Sequence, residues 1–315
     1  MLMIIVFLGL IFTLVFLFLQ EPKNITSMAS ISDPFKSVDF VDLPNIDTFK
    51  ARDGSLLTFR NYEAQGNVKG SIVLVHGSSA SSPSMHVLAK QFAMQGFKVF
   101  TLDIRGHGES REKGKIAYIG QLEDDLEDFT QYASIIKPAI LGGFSSGGGF
   151  VLRFAGSKKQ ELFDKYLLLS PFISERASNY RSDSGGWVSV AIPRIIILNI
   201  LNKRGIHFMN DLPVIKFALK EEDTAYLTAQ YSYALATNFR PLTDFEANIR
   251  AVQRPVIVIA GTKDEVFFTN RLQDIFYEQN KKWPVFLIDG VGHTPLIVEK
   301  NSVEAIVKFI NASIT

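Results

Sequence analysis

The sequence predicts an α/β fold in which a mainly parallel sheet is covered by helices on both faces. Short apolar runs at residues 71–75 and 255–260, and a further strand-like segment at residues 97–102, alternate with segments of helical spacing. Strands buried on both faces read as such runs, and helices return the chain between parallel neighbours. One further apolar run leads into a glycine- and serine-rich turn at residues 139–150, around which the rest of the chain is organised.

The composition is that of a globular protein and excludes several classes of function. Of the 315 residues, 47% are hydrophobic and 21% are charged, and the formal net charge is +1. Because no basic field is present, we expect no nucleic-acid partner. The absence of cysteine excludes disulfides, a cysteine nucleophile and thiolate metal sites. We expect no metal or organic cofactor, since H-E-x-x-H and nucleotide-binding fingerprints are missing.

The first residues of the chain are almost purely apolar. Residues 1–19 are interrupted only by one glycine and one threonine, and about 20 such residues suffice to cross a bilayer as a helix. A secretory signal peptide is the alternative, but no basic residue precedes Lys23 and no cleavage site is evident. We therefore expect residues 1–20 to be a single-pass membrane anchor, with secretion after signal cleavage as the alternative. Polar, proline-containing residues 21–45 are expected to form a linker.

The core of the fold is predicted to begin with a hairpin. Residues 46–51 and 56–62 read as two strands joined at Asp53-Gly54, which is a turn dipeptide. Strands and helices then alternate, so that residues 46–170 form the first part of the core.

The alternation breaks after residue 170 and resumes at residue 255. Between these points no clean strand is visible, and helix-like stretches occur around residues 212–219 and 226–236. We therefore predict a helical cap at residues 171–254, inserted between two strands, and a second part of the core at residues 255–315.

The central turn has the pattern G-x-S-x-G, in which a serine occupies a strained strand-to-helix turn. The positions two before and two after the serine crowd together, so both must lack a bulky side chain. Ser145 has Gly143 and Gly147 at these positions, whereas Ser146 would have Phe144 two residues before it. The candidate nucleophile is therefore Ser145. A flexible loop or a phosphate cradle is the alternative, but the lysine of a P-loop is absent.

A serine nucleophile needs a histidine to accept its proton, and the chain has five histidines. In this kind of turn the triad follows the order serine, acid, histidine. Only His207 and His293 follow the serine, and only His293 comes after a strand of the predicted sheet. His293 is therefore the candidate base. His76 and His107 also follow strands but precede the serine, and His86 begins a helix.

The acid that orients the histidine should lie past a strand end between these two residues. Asp264 follows the apolar run at residues 255–260 and is the candidate. Asp289 is the alternative, but it lies only four positions before His293 in the same loop, and Asp244 is in or beside the cap.

An oxyanion needs two preorganised donors. One is the backbone N–H of Ser146, which opens a helix. The other should come from the loop after the strand at residues 71–75, which reads His-Gly-Ser-Ser.

Five motifs in order resemble those of the α/β-hydrolase superfamily, and within it the monoacylglycerol lipase and lysophospholipase-like group, which is often labelled serine aminopeptidase-like. The sequence has HGS at residues 76–78, DIRGHGES at 103–110, GFSSG at 143–147, GTKD at 261–264 and GH at 292–293. The resemblance covers residues 46–315. It implies a mostly parallel eight-stranded sheet with an inserted cap.

The resemblance also implies the roles of the site residues. Ser145 would be the nucleophile, Asp264 and His293 its partners, and the N–H groups of Ser78 and Ser146 the oxyanion hole. Residues 103–110 would be a structural loop near the site.

From this we expect a serine hydrolase that cleaves carboxylic esters of lipid-like substrates, of monoacylglycerol or lysophospholipid type. The apolar segment at residues 187–201 favours a lipid-like ester over a small soluble one. A serine aminopeptidase is the first alternative, and it would need an acid in the cap to bind the substrate amine. Four acidic residues could do so: Glu175, Asp183, Glu221 and Glu222. A non-catalytic binding protein on the same fold is the second alternative.

Overall fold

The computed structural model of the protein describes residues 17, 19–25, 33–110, 112–182 and 187–314. The strands in these ranges are β1 (Ile46–Lys50), β2 (Leu56–Tyr62), β3 (Gly70–Val75), β4 (Phe97–Leu102), β5 (Ala139–Phe144), β6 (Lys165–Leu169), β7 (Val188–Val190), β8 (Pro213–Phe217), β9 (Gln230–Ser232), β10 (Val256–Gly261) and β11 (Val285–Ile288). The α-helices are α1 (His86–Met94), α2 (Gln121–Tyr132), α3 (Ser146–Ala155), α4 (Ile192–Lys203), α5 (Tyr233–Asn238), α6 (Phe245–Ala251), α7 (Leu272–Glu278), α8 (Pro295–Val298) and α9 (Lys300–Ile314).

Eight strands form one sheet in the order β1-β2-β4-β3-β5-β6-β10-β11. The pairs β1–β2 and β2–β4 are antiparallel, and all other neighbours are parallel. The predicted mostly parallel, eight-stranded sheet is therefore confirmed. Since the parallel strands share one direction, the loops after β3, β5, β10 and β11 meet at the same edge.

Helices cover the sheet on both faces, as the unbroken apolar strands require. Along β3, Ile72 and Leu74 point into one core, and the alternate residues Val73 and Val75 point into the other. Helices α1 and α9 contribute to the first core through residues such as Leu88, and α2 and α3 contribute to the second. Each face of the sheet is thereby removed from water, which is the main stabilising contribution of this architecture.

The segment between β6 and β10 differs from the predicted helical cap. It contains α4, α5 and α6, but also a small antiparallel sheet in the order β7-β8-β9. Residues 212–219, predicted to be helix-like, instead contain β8. Their buried residues Val214, Phe217 and Ala218 have helical spacing. A register shift in the pairing with β9 between Pro213 and Ile215 interrupts the regular alternation of a strand and produces this spacing.

Described residues of the N-terminal region contact the rest of the fold. Leu17 is buried against Leu198 and Val214 of the cap, and its carbonyl oxygen accepts a hydrogen bond from Arg194 Nε at 2.8 Å. Residues 33–45, predicted to be part of a linker, begin with a short 3-10 helix and pack on the core through Phe35. These contacts are long-range, so local sequence did not indicate them.

The predicted membrane anchor at residues 1–20 lies almost entirely outside the described residues. Within the part of the chain that the structure describes, no helix has the length and apolar character needed to span a bilayer.

Candidate active site

Ser145 lies in a sharp turn between the last residue of β5 and the first residue of α3. Its φ of 55° and ψ of −119° form a strained combination for a residue with a side chain. Two hydrogen bonds hold the turn, because the Ser145 N–H donates to the carbonyl of Leu169 at 2.9 Å and its carbonyl accepts from the N–H of Phe172 at 3.0 Å. The end of the neighbouring strand β6 therefore fixes the position of Ser145 at the carboxyl edge of the sheet.

The glycines that flank Ser145 are required by space. A Cβ atom on Gly143 would lie 2.3 Å from the carbonyl oxygen of Gly147. A Cβ atom on Gly147 would lie 2.2 Å from the carbonyl oxygen of His76. Both distances are far below any tolerable contact, and both involve backbone atoms that cannot move aside. The turn is therefore centred on Ser145, with Ser146 as the first residue of α3.

His293 lies in the loop between β11 and α8, at the same edge of the sheet. Its Nδ1 is 2.8 Å from Oδ2 of Asp264, which follows β10. Its N–H donates to Oε2 of Glu265 at 2.9 Å. His293 and Asp264 are 3% and 4% exposed, so the hydrogen bond between them is shielded from water. His293 Nε2 is buried and makes no hydrogen bond to Ser145 or any other described residue.

The charge of Asp264 determines which nitrogen of His293 carries the proton. Burial alone would raise the pKa of the Asp264 carboxyl, but the neighbouring His293 and the N–H of Phe267, at 2.9 Å, outweigh it and hold this pKa below its ordinary value. The carboxylate is therefore ionised and only accepts hydrogen bonds. It follows that His293 Nδ1 carries a proton, and in the neutral imidazole Nε2 has a free lone pair.

The alternative acids are placed differently. Asp289 is exposed and accepts a hydrogen bond from the Thr262 hydroxyl at 3.0 Å. Asp244 caps α6, where its Oδ1 accepts from the N–H of Ala247 at 2.8 Å.

The remaining histidines are also placed away from Ser145 or bound to other groups. His86 Nδ1 is 3.0 Å from the Tyr62 hydroxyl, and His207 is exposed. His76 and His107 are fully buried, with ring centroids 4.8 Å apart. Burial lowers the pKa of both rings.

Ser78 and Ser146 approach each other beside Ser145. Their hydroxyl oxygens are 2.5 Å apart. The N–H of Ser146 is one of the free donors of the first turn of α3, and the N–H of Ser78 lies in the loop after β3. Neither N–H has a hydrogen-bond partner among the described residues. Two backbone donors are thus available on one side of Ser145, where the sequence predicted an oxyanion hole.

The loop at residues 103–110 braces this edge of the sheet. Asp103 Oδ1 accepts from the N–H of Ser82 at 2.7 Å, and Oδ2 accepts from the Thr58 hydroxyl at 2.8 Å. A Cβ atom on Gly108 would lie 2.4 Å from Asp103 Cγ, so glycine is required there.

Ser145 and His293 line one small cavity of about 30 Å³. Most of the other described residues that line it are apolar, and none of them is acidic. These residues are Phe35, Gly77, Ser78, Ala80, Ser84, Phe144, Trp187, Thr294 and Ile297. The position of Phe35 at the site was not predicted, because an isolated phenylalanine in a polar segment has no periodic pattern.

Of the four acidic residues considered in the cap, Glu175 and Glu221 do not line this cavity. Glu175 is exposed and forms an ion pair with Arg240. Glu221 is exposed and begins a short 3-10 helix that includes Glu222. Asp183 lies outside the described residues. Within the described ranges, no cluster of three or more acidic or histidine side chains could hold a metal ion.

Comparison with known families and structures gives matches over most of the chain. A family model described as serine aminopeptidase, S33, matches residues 66–301. A monoglyceride lipase from Saccharomyces cerevisiae, solved as a soluble variant with a substrate analogue, superposes with a TM-score of 0.65 at 18% identity, covering 88% of this chain and 97% of that one. A monoacylglycerol lipase from Paleococcus ferrophilus has a TM-score of 0.61 at 17% identity, covering 82% of this chain and 99% of that one. At such identities the likeness concerns the fold alone.

The relatives found by sequence match a smaller part of the chain than the solved structures do. A monoacylglycerol lipase of Mycolicibacterium smegmatis is 28% identical over 133 residues, which is 40% of this chain and 46% of the relative. An sn-1-specific diacylglycerol lipase of Danio rerio is 24% identical over 174 residues, which is 54% of each protein. The chain thus spans about half the length of these curated relatives.

Proposed function

Since the chain belongs to the family described as serine aminopeptidase S33, within the α/β-hydrolase superfamily that its motifs indicated, we propose that it is a serine hydrolase that cleaves carboxylic esters. The observation that carries the proposal is the buried hydrogen bond between Asp264 and His293 beside the strained Ser145. A strained serine, a histidine with a free Nε2 and an ionised acid on its Nδ1 are the three groups that acyl transfer needs.

In the first half of the reaction, the Ser145 hydroxyl attacks the ester carbonyl carbon. His293 Nε2 accepts the hydroxyl proton as the new C–O bond forms, through a hydrogen bond to Ser145 that forms when substrate binds. The carbonyl oxygen becomes an oxyanion, which accepts hydrogen bonds from the N–H groups of Ser78 and Ser146. The tetrahedral intermediate then expels the alcohol, and the alkoxy oxygen takes its proton from His293.

In the second half, water replaces the alcohol. His293 Nε2 removes a proton from the water, whose oxygen attacks the acyl carbon of the ester to Ser145. The same two N–H groups stabilise the second oxyanion, and collapse returns the proton to Ser145 as the carboxylic acid leaves. Asp264 stabilises the protonated imidazole in both halves through its negative charge.

The proposed substrates are lipid-like esters of monoacylglycerol or lysophospholipid type. Support comes from the cavity, where Phe35, Phe144, Trp187 and Ile297 offer apolar surface to an acyl chain. Burial of apolar area in such a cleft contributes about 25 cal/mol per Å². The relatives that act on monoacylglycerols and diacylglycerols, by their names, agree with this proposal.

Aminopeptidase activity is the second candidate because the family description carries that name. An aminopeptidase must bind a charged substrate amine, and a buried ammonium needs an anionic partner. The described lining of the cavity has no acidic side chain, which favours the ester.

A panel of p-nitrophenyl esters of rising chain length, compared with aminoacyl p-nitroanilides, tests the proposal. We expect hydrolysis of the esters with a higher kcat/KM for longer chains, and we expect Ser145→Ala to abolish it. A higher kcat/KM for the aminoacyl anilides would show that the protein is an aminopeptidase rather than an esterase. Hydrolysis that persists in Ser145→Ala would remove the nucleophile assignment.

A further inference from the structure

Ser79, which follows the proposed oxyanion donor Ser78, has an unusual backbone conformation. Its φ of 64° lies in the left-handed region, which residues with a side chain rarely adopt. Such a conformation persists only where the surrounding structure holds it. The position of the Ser78 N–H therefore depends on whatever fixes Ser79.

The cap supplies the contacts that fix Ser79. The N–H of Thr228 donates to the carbonyl of Ser79 at 2.8 Å, and the Ser79 hydroxyl donates to the carbonyl of Thr228 at 2.8 Å. The N–H of Ser79 donates to the hydroxyl of Tyr231 in β9 at 2.5 Å. All three residues are buried. Every hydrogen-bonding group of Ser79 is thus paired with the cap rather than with its own loop.

The proton positions in this network follow from its chemistry. His107 Nδ1 lies 3.2 Å from the carbonyl oxygen of Ile104, which can only accept, so Nδ1 carries the proton. His107 Nε2 must then accept, and it lies 2.6 Å from the Tyr231 hydroxyl. Tyr231 therefore donates to His107 and keeps its lone pairs for the N–H of Ser79. Burial, with His76 nearby, lowers the pKa of His107 and keeps it in the neutral form that this network requires.

We infer that Tyr231 is a positioning residue for the oxyanion hole: it holds Ser79, and through it the Ser78 N–H, and His107 orients the Tyr231 hydroxyl. The inference rests on the proposed function, because it assigns a purpose to the oxyanion hole. The cap then has a role beyond contact with substrate. It completes the catalytic edge of the sheet from a segment remote in sequence.

The test compares Tyr231→Phe with Tyr233→Phe. Tyr233 is a matched control, because it is also buried in the cap and its hydroxyl donates within the cap, to Asn199 Oδ1 at 2.6 Å. With p-nitrophenyl butyrate, we expect Tyr231→Phe to lower kcat by about 10- to 100-fold, because a displaced oxyanion donor acts on the transition state. KM should change by less than about two-fold, because ground-state binding does not use the donor. Tyr233→Phe should change neither constant by more than about two-fold.

A second measurement separates the oxyanion hole from general loosening of the cap. An alkyl trifluoromethyl ketone forms a hemiketal with a serine nucleophile, and its affinity depends on oxyanion stabilisation. We expect its inhibition constant to rise in Tyr231→Phe by the same factor as kcat falls. Unchanged kcat and inhibition constant in Tyr231→Phe would overturn the inference, as would an equal loss in Tyr233→Phe. Activity that survives Ser145→Ala would instead overturn the proposed function itself.

Discussion

Nδ1 of His293 lies 2.8 Å from Oδ2 of Asp264, although the two residues are 29 positions apart in the chain and follow different strands. The parallel sheet accounts for this, since β10 and β11 are neighbours that end at the same edge. Both residues are almost completely buried, so the pair is strong and its geometry is fixed by packing.

The first prediction concerns this hydrogen bond. We expect Asp264→Asn to lower kcat by about 10²- to 10⁴-fold, because the amide lacks the charge that stabilises the imidazolium and allows the wrong tautomer. Asp289→Asn is the matched control, because Asp289 is exposed in the neighbouring loop. Steady-state ester hydrolysis provides the measurement. If Asp289→Asn were the more damaging of the two, the assignment of the acid would be wrong.

The second prediction concerns the crowded turn at Ser145. A Cβ atom at Gly143 would collide with the backbone of Gly147 at 2.3 Å, whereas one at Gly142 would meet only side chains, the nearest being Leu74 at 3.0 Å. We expect Gly143→Ala to lower the free energy of unfolding by about 3 kcal/mol or more, and Gly142→Ala by about 1 kcal/mol. Urea unfolding of the two variants measures both values. Equal losses would show that the turn relaxes more easily than its geometry indicates.

The third prediction concerns acid stability. The pKa of His107 is lowered well below 6.5, chiefly by burial, so the unfolded chain binds the proton more readily than the folded chain. The stability that this neutral histidine contributes is present above about pH 6.5 and is lost as the pH falls below that value.

This loss gives a slope of up to about 1.4 kcal/mol per pH unit for one histidine. We expect the free energy of unfolding of His107→Gln to fall less steeply between about pH 6.5 and 5 than that of the wild type. Chemical denaturation at a series of pH values measures the difference. Identical slopes would mean that His107 does not titrate with unfolding.

The fourth prediction concerns the acyl-binding surface. Trp187 and Phe35 line the cavity from the cap and from the N-terminal region. We expect Trp187→Ala and Phe35→Ala to lower kcat/KM for p-nitrophenyl decanoate by about 10-fold or more. The kcat/KM for p-nitrophenyl acetate should change little. The reason is that apolar contact between each side chain and a long acyl chain contributes about 2 kcal/mol to binding. Tyr277→Ala on the surface of α7, where Tyr277 is 53% exposed, should change neither value. A uniform loss for both esters would argue against a role in chain binding.

The fifth prediction concerns the N-terminal segment. The membrane anchor at residues 1–20 remains a prediction of the sequence. We expect the full chain to stay with membranes after an alkaline wash, and a chain that begins at Leu17 to be released. Leu17 is retained in the shortened chain because it packs against the cap. Release of the full chain by the wash would contradict the membrane anchor at residues 1–20.

Sequence was sufficient where a local rule applied. The choice of Ser145 over Ser146 followed from the two glycines that flank Ser145, and the collision at Gly143 gives that choice a structural reason. The parallel sheet followed from unbroken apolar strands, because burial on both faces leaves a clear pattern. The placement of Asp264 and His293 at one edge followed from the rule that parallel strands end together.

Sequence was insufficient where contacts are long-range or a local pattern misleads. The hydrogen-bond pairing of strand β8 with β9 has a register shift, which places the buried residues of β8 at helical spacing. The apolar periodicity of this segment therefore indicated a helix. The contact of Tyr231 with Ser79 joins residues 152 positions apart, and no local pattern specifies it. The entry of Phe35 into the cavity depends on how the N-terminal region folds back over the core, which composition alone does not indicate.

Locating the nucleophile tests the proposed mechanism most directly. The protein is treated with a fluorophosphonate, digested and analysed by mass spectrometry. We expect a single phosphonyl adduct on Ser145, and we expect Ser145→Ala and His293→Ala to remain unlabelled while Ser146→Ala is still labelled at Ser145. An adduct on Ser146 or Ser78, or labelling that persists in Ser145→Ala, would contradict the proposal that Ser145 is the nucleophile.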